Sequence, residues 1–201
     1  MLAAFCVTLA CLLSVSHSAP LACDILVQTL DDLDPRYLQG RWALVAGSMA
    51  LPYELEDLKS RGSMAVYVSN FTETSGYSYT QVNRLDEQCY YLPHNFKIEN
   101  GTITYQLENV ILTCSFLHTS CPDCVVIRSV LGNKQLKIMN LLLFSRRREL
   151  EQKEMEEFLA QVECLKMPPP DVMNPTRELC PEQTAGDPGT QTEEKTEGQK
   201  V

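Results

Sequence analysis

Basic side chains are scarce in this sequence. It has 17 lysines and arginines against 26 aspartates and glutamates, and its formal net charge is −9. Proteins that bind nucleic acid need clustered Lys and Arg to neutralise phosphates, so this balance argues against a nucleic-acid partner. The one basic run, Arg146-Arg147-Arg148, is followed by several glutamates, and we expect it to be the solvated start of a helix.

Long apolar runs are missing after the amino terminus. The stretch from Leu2 to Val15 is mainly apolar and carries no charged side chain, but it is shorter than the roughly 18 residues that suggest a membrane-spanning helix. Ser16 and Ser18 are small residues that suit a cleavage site, so we predict a signal peptide and a secreted chain with no membrane span. The carboxyl-terminal residues are rich in Glu, Thr, Gly, Pro and Gln, which is typical of disorder. The predicted parts are a signal peptide (1–18), one domain (19–180) and a disordered acidic tail (181–201).

Residues that could perform catalysis are few. Of the three histidines, His17 falls in the predicted signal peptide, and neither His94 nor His118 sits in a triad-like setting. Cys114 lies on a predicted strand and is the candidate nucleophile of an enzyme, but the sequence places no His, Asp or Lys to activate it. We therefore predict that the chain is not an enzyme and carries no cofactor.

Seven cysteines remain once Cys6 and Cys11 are removed with the signal peptide. In an oxidising compartment this odd number implies disulfides plus one unpaired thiol or an intermolecular bond. Zinc binding at Cys121-Pro122-Asp123-Cys124 would need two more Cys or His ligands at matching spacing, and only His118 is near. We predict a structural disulfide there and no metal, with the pairing of Cys114, Cys121 and Cys124 left open. We expect a monomer, although an unpaired thiol would permit a disulfide-linked dimer.

Short segments of alternating polarity recur at intervals of about 8–12 residues, separated by turn signals such as Asn100-Gly101 and Gly132-Asn133. Eight strands are predicted, over residues 41–50, 62–72, 75–84, 87–98, 101–107, 109–117, 124–131 and 135–145. Eight antiparallel strands can close into a barrel that holds one small ligand. Helical spacing predicts a short helix over 53–60 and a second over 149–165, whose apolar face, including Leu159, would pack on the barrel wall.

The last predicted strand indicates which side chains face the barrel interior. Lys137 must face water, so the residues that alternate with it face inward. These are Leu136, Ile138, Asn140, Leu142 and Phe144. Asn140 in this apolar row either contacts a ligand or bonds to backbone or water.

Gly40-Arg41-Trp42 opens the first predicted strand and contains the only tryptophan. With the signal peptide and Cys23, it resembles the start of a lipocalin. The chain resembles the lipocalin branch of α1-acid glycoprotein, with apolipoprotein M and the fish saxitoxin- and tetrodotoxin-binding proteins as relatives. Further matching segments are Pro20-Leu21, Asp86-Glu87-Gln88-Cys89-Tyr90, Glu99-Asn100-Gly101-Thr102-Ile103 and Glu156 through Leu165. The resemblance implies an all-β, eight-stranded antiparallel up-and-down barrel with a carboxyl-terminal α-helix packed on its wall.

The same resemblance implies roles for individual residues. It pairs Cys23 with Cys164 and Cys89 with Cys180, and it gives Gly40, Trp42 and Arg146 a structural role, with the arginine packed over the tryptophan at the closed barrel end. Ligand-lining positions fall on Leu44, Val66, Gln81, Asn83, Tyr105, Leu142 and Phe144, to which strand alternation adds Asn140. Typical glycoproteins of this branch have an acidic–basic pair near the pocket mouth, where this chain has Gln81 and Tyr105. The match therefore gives no basis for ligand selection by charge.

The predicted function is that of a secreted carrier of small hydrophobic or amphipathic molecules, such as lipids, steroids, drugs or toxins. The alternative is an acute-phase-type glycoprotein that modulates immune responses through its surface. Asn70-Phe71-Thr72 and Asn100-Gly101-Thr102 are intact glycosylation sequons, whereas proline excludes Asn174-Pro175-Thr176. We therefore predict N-glycans at Asn70 and Asn100.

Overall fold

The computed structural model describes residues 23–69, 76–107, 110–133 and 135–183. The elements in these ranges are a 3-10 helix (Pro35–Leu38), β1 (Gly40–Met49), α1 (Pro52–Ser60), β2 (Arg61–Val68), β3 (Tyr77–Leu85), β4 (Gln88–Phe96), β5 (Ile98–Glu99), β6 (Thr102–Leu107), β7 (Val110–Leu117), β8 (Cys124–Gly132), β9 (Lys137–Ser145), α2 (Gln152–Cys164) and β10 (Asp171–Val172). The eight longer strands lie where the sequence predicts strands, and β5 and β10 are two-residue additions. The predicted signal peptide, the sequon residue Asn70 and the tail after residue 183 lie outside the described residues.

The strands form one curled antiparallel sheet. Its order is β4-β3-β2-β1-β9-β8-β7-β6-β5, and β10 pairs with β1. Neighbours along this order are mostly consecutive in the chain, which is the up-and-down topology that short turns produce. Within the described ranges no ladder joins β4 to β5 or β6, so the sheet is open along that seam. The predicted all-β fold with a helix after the last long strand is confirmed.

Strand β1 separates two hydrophobic cores. Trp42 and Leu44 belong to the core inside the curled sheet, whereas Val45 and Ala46 belong to the core between the sheet and α2. The pairing of β1 with β9 shifts register between Leu44 and Ala46. Such a β-bulge breaks the strict two-residue alternation and lets two successive side chains lie on the outer face.

Helix α2 packs on the outer wall of the sheet through Phe158 and Val162, which contact the same core as Leu141 of β9. One part of the predicted apolar face is wrong, because Leu159 is 43% exposed. Gln161 is instead fully buried, and its Nε2 donates to the backbone oxygens of Leu26 (2.9 Å) and His118 (2.7 Å). The helix therefore holds the amino-terminal segment and the β7–β8 connection as well as the sheet.

The helix begins at Gln152, three residues later than predicted, because Glu151 is its N-cap. The Glu151 side chain accepts from the backbone of Glu154, and the Glu154 side chain accepts from the backbone of Glu151. This reciprocal arrangement is a capping box, which satisfies backbone donors at a helix start. The arginine run before it is consequently outside the helix.

The prediction that these arginines are a solvated helix start is wrong, because each has specific partners. Arg147 forms ion pairs with Asp123 (2.6 Å) and Glu154 (2.9 Å). Arg148 donates to the backbone oxygens of Arg177 (2.7 Å) and Asn174 (3.0 Å). The run thereby ties the end of β9 to three other segments.

The inward assignment of Leu136 is also wrong. Strand β9 begins at Lys137, and Leu136 is 58% exposed in the preceding turn. The Asn133 side chain accepts from the backbone N–H groups of Gln135 and Leu136, and the Asn133 N–H donates to the Leu136 oxygen. This asparagine turn stops the strand pairing before Leu136 can point inward.

Three disulfides occur in the described residues: Cys23–Cys164, Cys89–Cys180 and Cys121–Cys124. Cys114 is free, so the alternatives that pair it with Cys121 or Cys124 are wrong. The first bond joins the amino-terminal segment to the end of α2, and the second joins β4 to the segment after β10. In the part of the chain described, no helix is long and apolar enough to cross a membrane.

Candidate functional site

The curled sheet encloses a cavity of about 420 Å³. Its lining is mainly apolar and aromatic. It includes side chains from α1 and from strands on both sides of β1 in the sheet order. The walls include Met64, Val66, Val68, Leu112, Ile127, Leu131 and Leu142, and the end next to the 3-10 helix includes Leu38, Trp42, Phe116 and Phe144. A concave apolar space of this size is suited to a small ligand.

Trp42 and Arg146 close one end of this cavity. The guanidinium carbon of Arg146 lies 4.0 Å from the centre of a Trp42 ring, and the indole Nε1 donates to the Leu38 oxygen at 2.7 Å. Arg146 Nη2 also donates to the backbone oxygens of Tyr37 and Gln39, each at 2.7 Å. Gly40 has a φ of +92°, and a Cβ atom there would come within 3.1 Å of Arg146 Nη1, so glycine is required at this approach.

Six of the eight residues that the sequence assigns to ligand contact line the cavity: Val66, Gln81, Tyr105, Asn140, Leu142 and Phe144. Leu44 and Asn83 do not line it. Leu44 is 2% exposed and is packed within the inner core, so neighbouring side chains separate it from the open space. It supports the cavity wall without being part of its surface.

Asn83 is buried, and it holds neighbouring side chains in place. Its Oδ1 accepts from Arg61 Nη1 at 2.9 Å and from Gln81 Nε2 at 3.3 Å. Arg61 in turn forms an ion pair with Asp57 of α1. Asn83 therefore connects β3 to the helix over the cavity mouth and orients the amide of Gln81, which does line the cavity.

Asn140 lines the cavity, and both ends of its amide already have protein partners. Its Oδ1 accepts from the backbone N–H of Ala50 at 3.0 Å, and its Nδ2 donates to Glu54 Oε2 at 3.1 Å. The bond to the Ala50 backbone fits one of the two alternatives for Asn140, and its place on the cavity lining fits the other. The bond to Glu54 fixes the position of a carboxylate at the cavity.

Glu54 of α1 is one of several described cavity residues, such as Tyr79 and Leu131, that the sequence reasoning missed. It is half-buried, it lines the cavity, and no Lys, Arg or His among the described residues lines the cavity with it. Its position could have been inferred, because Glu54 precedes Leu58 by four residues and residues at that spacing share a helix face. Leu58 is buried in the inner core, so Glu54 faces the same side.

Cys114 and two tyrosines add polar groups to the cavity lining. Tyr79, Tyr105 and Cys114 all line the cavity. Burial raises the pKa of the Cys114 thiol to about 11 and raises the pKa of both phenols. The thiol is consequently protonated near neutral pH and is a poor nucleophile. Neither His94 nor His118 lines the cavity to act as its base.

The side chains of Cys121, Asp123 and Cys124 lie within 4.8 Å of one another, which is close enough to hold a metal ion. Both sulfurs are joined in a disulfide, so neither is a thiolate ligand. Asp123 is paired with Arg147, whose guanidinium holds the pKa of that carboxyl below its usual range. The two sulfurs and the carboxylate are therefore already bonded to other groups of the protein.

No family model matches this chain, and no curated protein matches it. Solved structures do match, and 239 of their chains are similar to this one. One is the siderocalin Ex-FABP, described as functioning through dual ligand specificities. It superposes with a TM-score of 0.59 at 14% sequence identity, and the alignment covers 74% of this chain and 97% of that one. At this identity the likeness concerns the fold, which is the lipocalin fold.

Proposed function

We propose that this chain, which has the lipocalin fold, is a secreted carrier that binds small amphipathic molecules in its cavity. The observation that carries the proposal is an apolar cavity of about 420 Å³ in which Glu54 is the one carboxylate that the described residues contribute to the lining. Burial of ligand carbon there contributes about 25 cal/mol per Å² before the costs of association. The protonated thiol of Cys114 and the lack of a lining histidine among the described residues support binding without catalysis.

The ligand class follows from the charge of the cavity. A carboxylate that is partly removed from water costs free energy unless a positive group or several hydrogen-bond donors compensate it. Glu54 has one donor, the amide of Asn140, and no cation within ion-pair distance among the described residues. A ligand that buries a hydrocarbon part and places an ammonium group beside Glu54 would supply the missing charge. We therefore propose that cationic amphipathic molecules are preferred over neutral ones.

Glu54→Gln is expected to remove this preference. At pH 7 the wild-type protein should bind protonated dodecylamine about 5- to 30-fold more tightly than 1-dodecanol, since a charge-assisted hydrogen bond exceeds a neutral one by about 1–2 kcal/mol. In the variant the two affinities should become similar, mainly through weaker binding of the amine. Titrations followed by the fluorescence of Trp42, which lines the cavity, measure both affinities.

Glu56→Gln is the matched control, because Glu56 is an exposed residue of the same helix that does not line the cavity. It removes the same charge and should leave the preference unchanged. An amine preference that survives in Glu54→Gln would contradict the proposed ligand class. Failure of both dodecyl ligands to bind the wild-type protein would contradict the carrier function itself.

Secretion predicts that the sequon at Asn100 carries a glycan. Asn100 is exposed at the Asn100-Gly101 turn between β5 and β6, so its side-chain amide is accessible. Peptide N-glycosidase treatment of protein secreted by eukaryotic cells should increase its gel mobility, and Asn100→Gln should remove part of that shift. The remainder is expected from Asn70, so the double variant with Asn70→Gln should not respond at all. Unchanged mobility of the treated wild-type protein would refute both glycans.

A further inference from the structure

A cleft lies on the outer surface at the closed end of the sheet, away from the ligand cavity. It has a volume of about 590 Å³ and is lined by Arg41, Tyr67 and Arg146 together with residues 179–182. Arg41 and Tyr67 are directly opposite each other on β1 and β2, as are their neighbours Trp42 and Val66. Because successive strand residues point to opposite faces, the cleft and the cavity lie on opposite sides of the same two strands.

Arg146 enters this cleft with its position already fixed. Its guanidinium lies over Trp42, and three of its N–H groups donate to the backbone oxygens of Tyr37, Gln39 and Arg41. A guanidinium has five N–H groups, so two remain without a partner among the described residues. A further hydrogen-bond acceptor could be bound without ordering a flexible side chain, which lowers the entropic cost of binding.

Arg41 adds a second guanidinium to the cleft. It is exposed, and its side chain forms no ion pair or hydrogen bond to the described residues. Burial and the positive charge of Arg41 hold the pKa of nearby Arg148 below its usual range, so positive charges lie close together here. Glu182 is the one acidic residue that the described part of the chain contributes to the cleft lining. This positive region stands out in a chain whose formal charge is −9.

We propose that this cleft binds a compact oxyanion, a phosphate or sulfate group, held between Arg41 and Arg146. The planar fork of a guanidinium matches two oxygens of such a group, which a single ammonium cannot do. Arg146 supplies fixed donors and Arg41 supplies a fork that is free to turn toward the anion. The apolar surfaces of Leu179 and Pro181 border the site. The cleft and the cavity share no lining residue, and the proposal does not depend on the carrier function.

Calorimetric titration at low ionic strength with inorganic pyrophosphate and with sulfate tests the proposal. Arg41→Gln should weaken the binding of both anions about tenfold, as expected when one partner of a charge-assisted contact is removed. Arg41→Lys, which keeps the charge but not the fork, should restore only part of the affinity. Glu182→Gln should strengthen binding, because it removes the one carboxylate at the cleft.

Arg36→Gln is the control for a general effect of charge. Arg36 is an exposed residue near the same end that pairs with Asp34 and does not line the cleft. Its replacement should change anion affinity by no more than about twofold, since Arg36 does not contact the anion and the high dielectric of water weakens interactions between exposed charges. Equal losses in Arg36→Gln and Arg41→Gln would overturn the site, and so would the absence of binding to the wild-type protein. Binding of dodecylamine in the cavity should be the same in all four variants.

Discussion

Phe144→Arg is expected to weaken dodecylamine binding at least about 100-fold, since an ionised group placed in an apolar cavity costs several kcal/mol and also repels a cationic ligand. Phe144 is 4% exposed, lines the cavity, and pairs across the sheet with Leu44 and Val125. The same titration by Trp42 fluorescence measures the loss. Near-ultraviolet circular dichroism shows whether the variant keeps its tertiary packing.

Val172→Arg is the matched control for this change. Val172 is an apolar residue of β10 that is 54% exposed and lies outside the cavity lining. The introduced arginine should remain in water and leave the affinity unchanged. If Phe144→Arg does not fold, Val66→Arg repeats the test from a half-buried cavity position on β2. A folded cavity variant with wild-type affinity would place the ligand elsewhere, and would favour the alternative of a glycoprotein that acts through its surface.

Removing the Cys23–Cys164 disulfide, by changing both residues to serine, should lower the free energy of unfolding by about 5 kcal/mol. The two cysteines are 141 positions apart, and the chain-entropy model assigns about this much to so long a closed loop. The bond also anchors the amino-terminal segment against α2, where Gln161 donates to the Leu26 oxygen. Guanidinium unfolding of the wild-type and variant proteins measures the difference.

The Cys121–Cys124 disulfide provides the comparison. Its cysteines are three positions apart, so the same model gives only about 2 kcal/mol for the double serine variant. Cys121 and Cys124 are buried in the same core as Phe158 and Val162, whereas Cys23 and Cys164 are half-buried, so serine hydroxyls would cost more at the short-range bond. Double alanine variants of both bonds, which bury no hydroxyl, give the matched comparison. Equal destabilisation by the two double variants would show that loop closure is not what makes the long-range bond stabilising.

Strand positions could be predicted from the sequence because the two faces of the sheet have different surroundings, so side-chain character alternates along each strand. Alternation along β9 places Asn140, Leu142 and Phe144 inside, and each lines the cavity. The prediction failed where a local interaction overrides alternation. The Asn133 turn removes Leu136 from the strand, and the bulge after Leu44 changes which face of β1 is inward.

The polar part of the site was harder to predict, because it depends on contacts between residues distant in sequence. The hydrogen bond from Asn140 to Glu54 joins residues 86 positions apart, and no spacing rule connects a strand residue to a helix over the mouth. The arginine run was misassigned for the same reason. The partners of Arg147 and Arg148 come from the β7–β8 connection, from α2 and from the segment after β10.

The protection of Cys114 from a thiol reagent tests most directly whether the cavity is the ligand site. Cys114 lines the cavity and is the free thiol of the described residues. Methyl methanethiosulfonate should react slowly with the mature protein at pH 8.5, because burial raises the pKa of this thiol to about 11. Dodecylamine should slow the reaction at least about tenfold more, with half-protection at the Kd found from Trp42 fluorescence. Saturation of the protein with dodecylamine and no change in the rate at Cys114 would contradict ligand binding in the cavity.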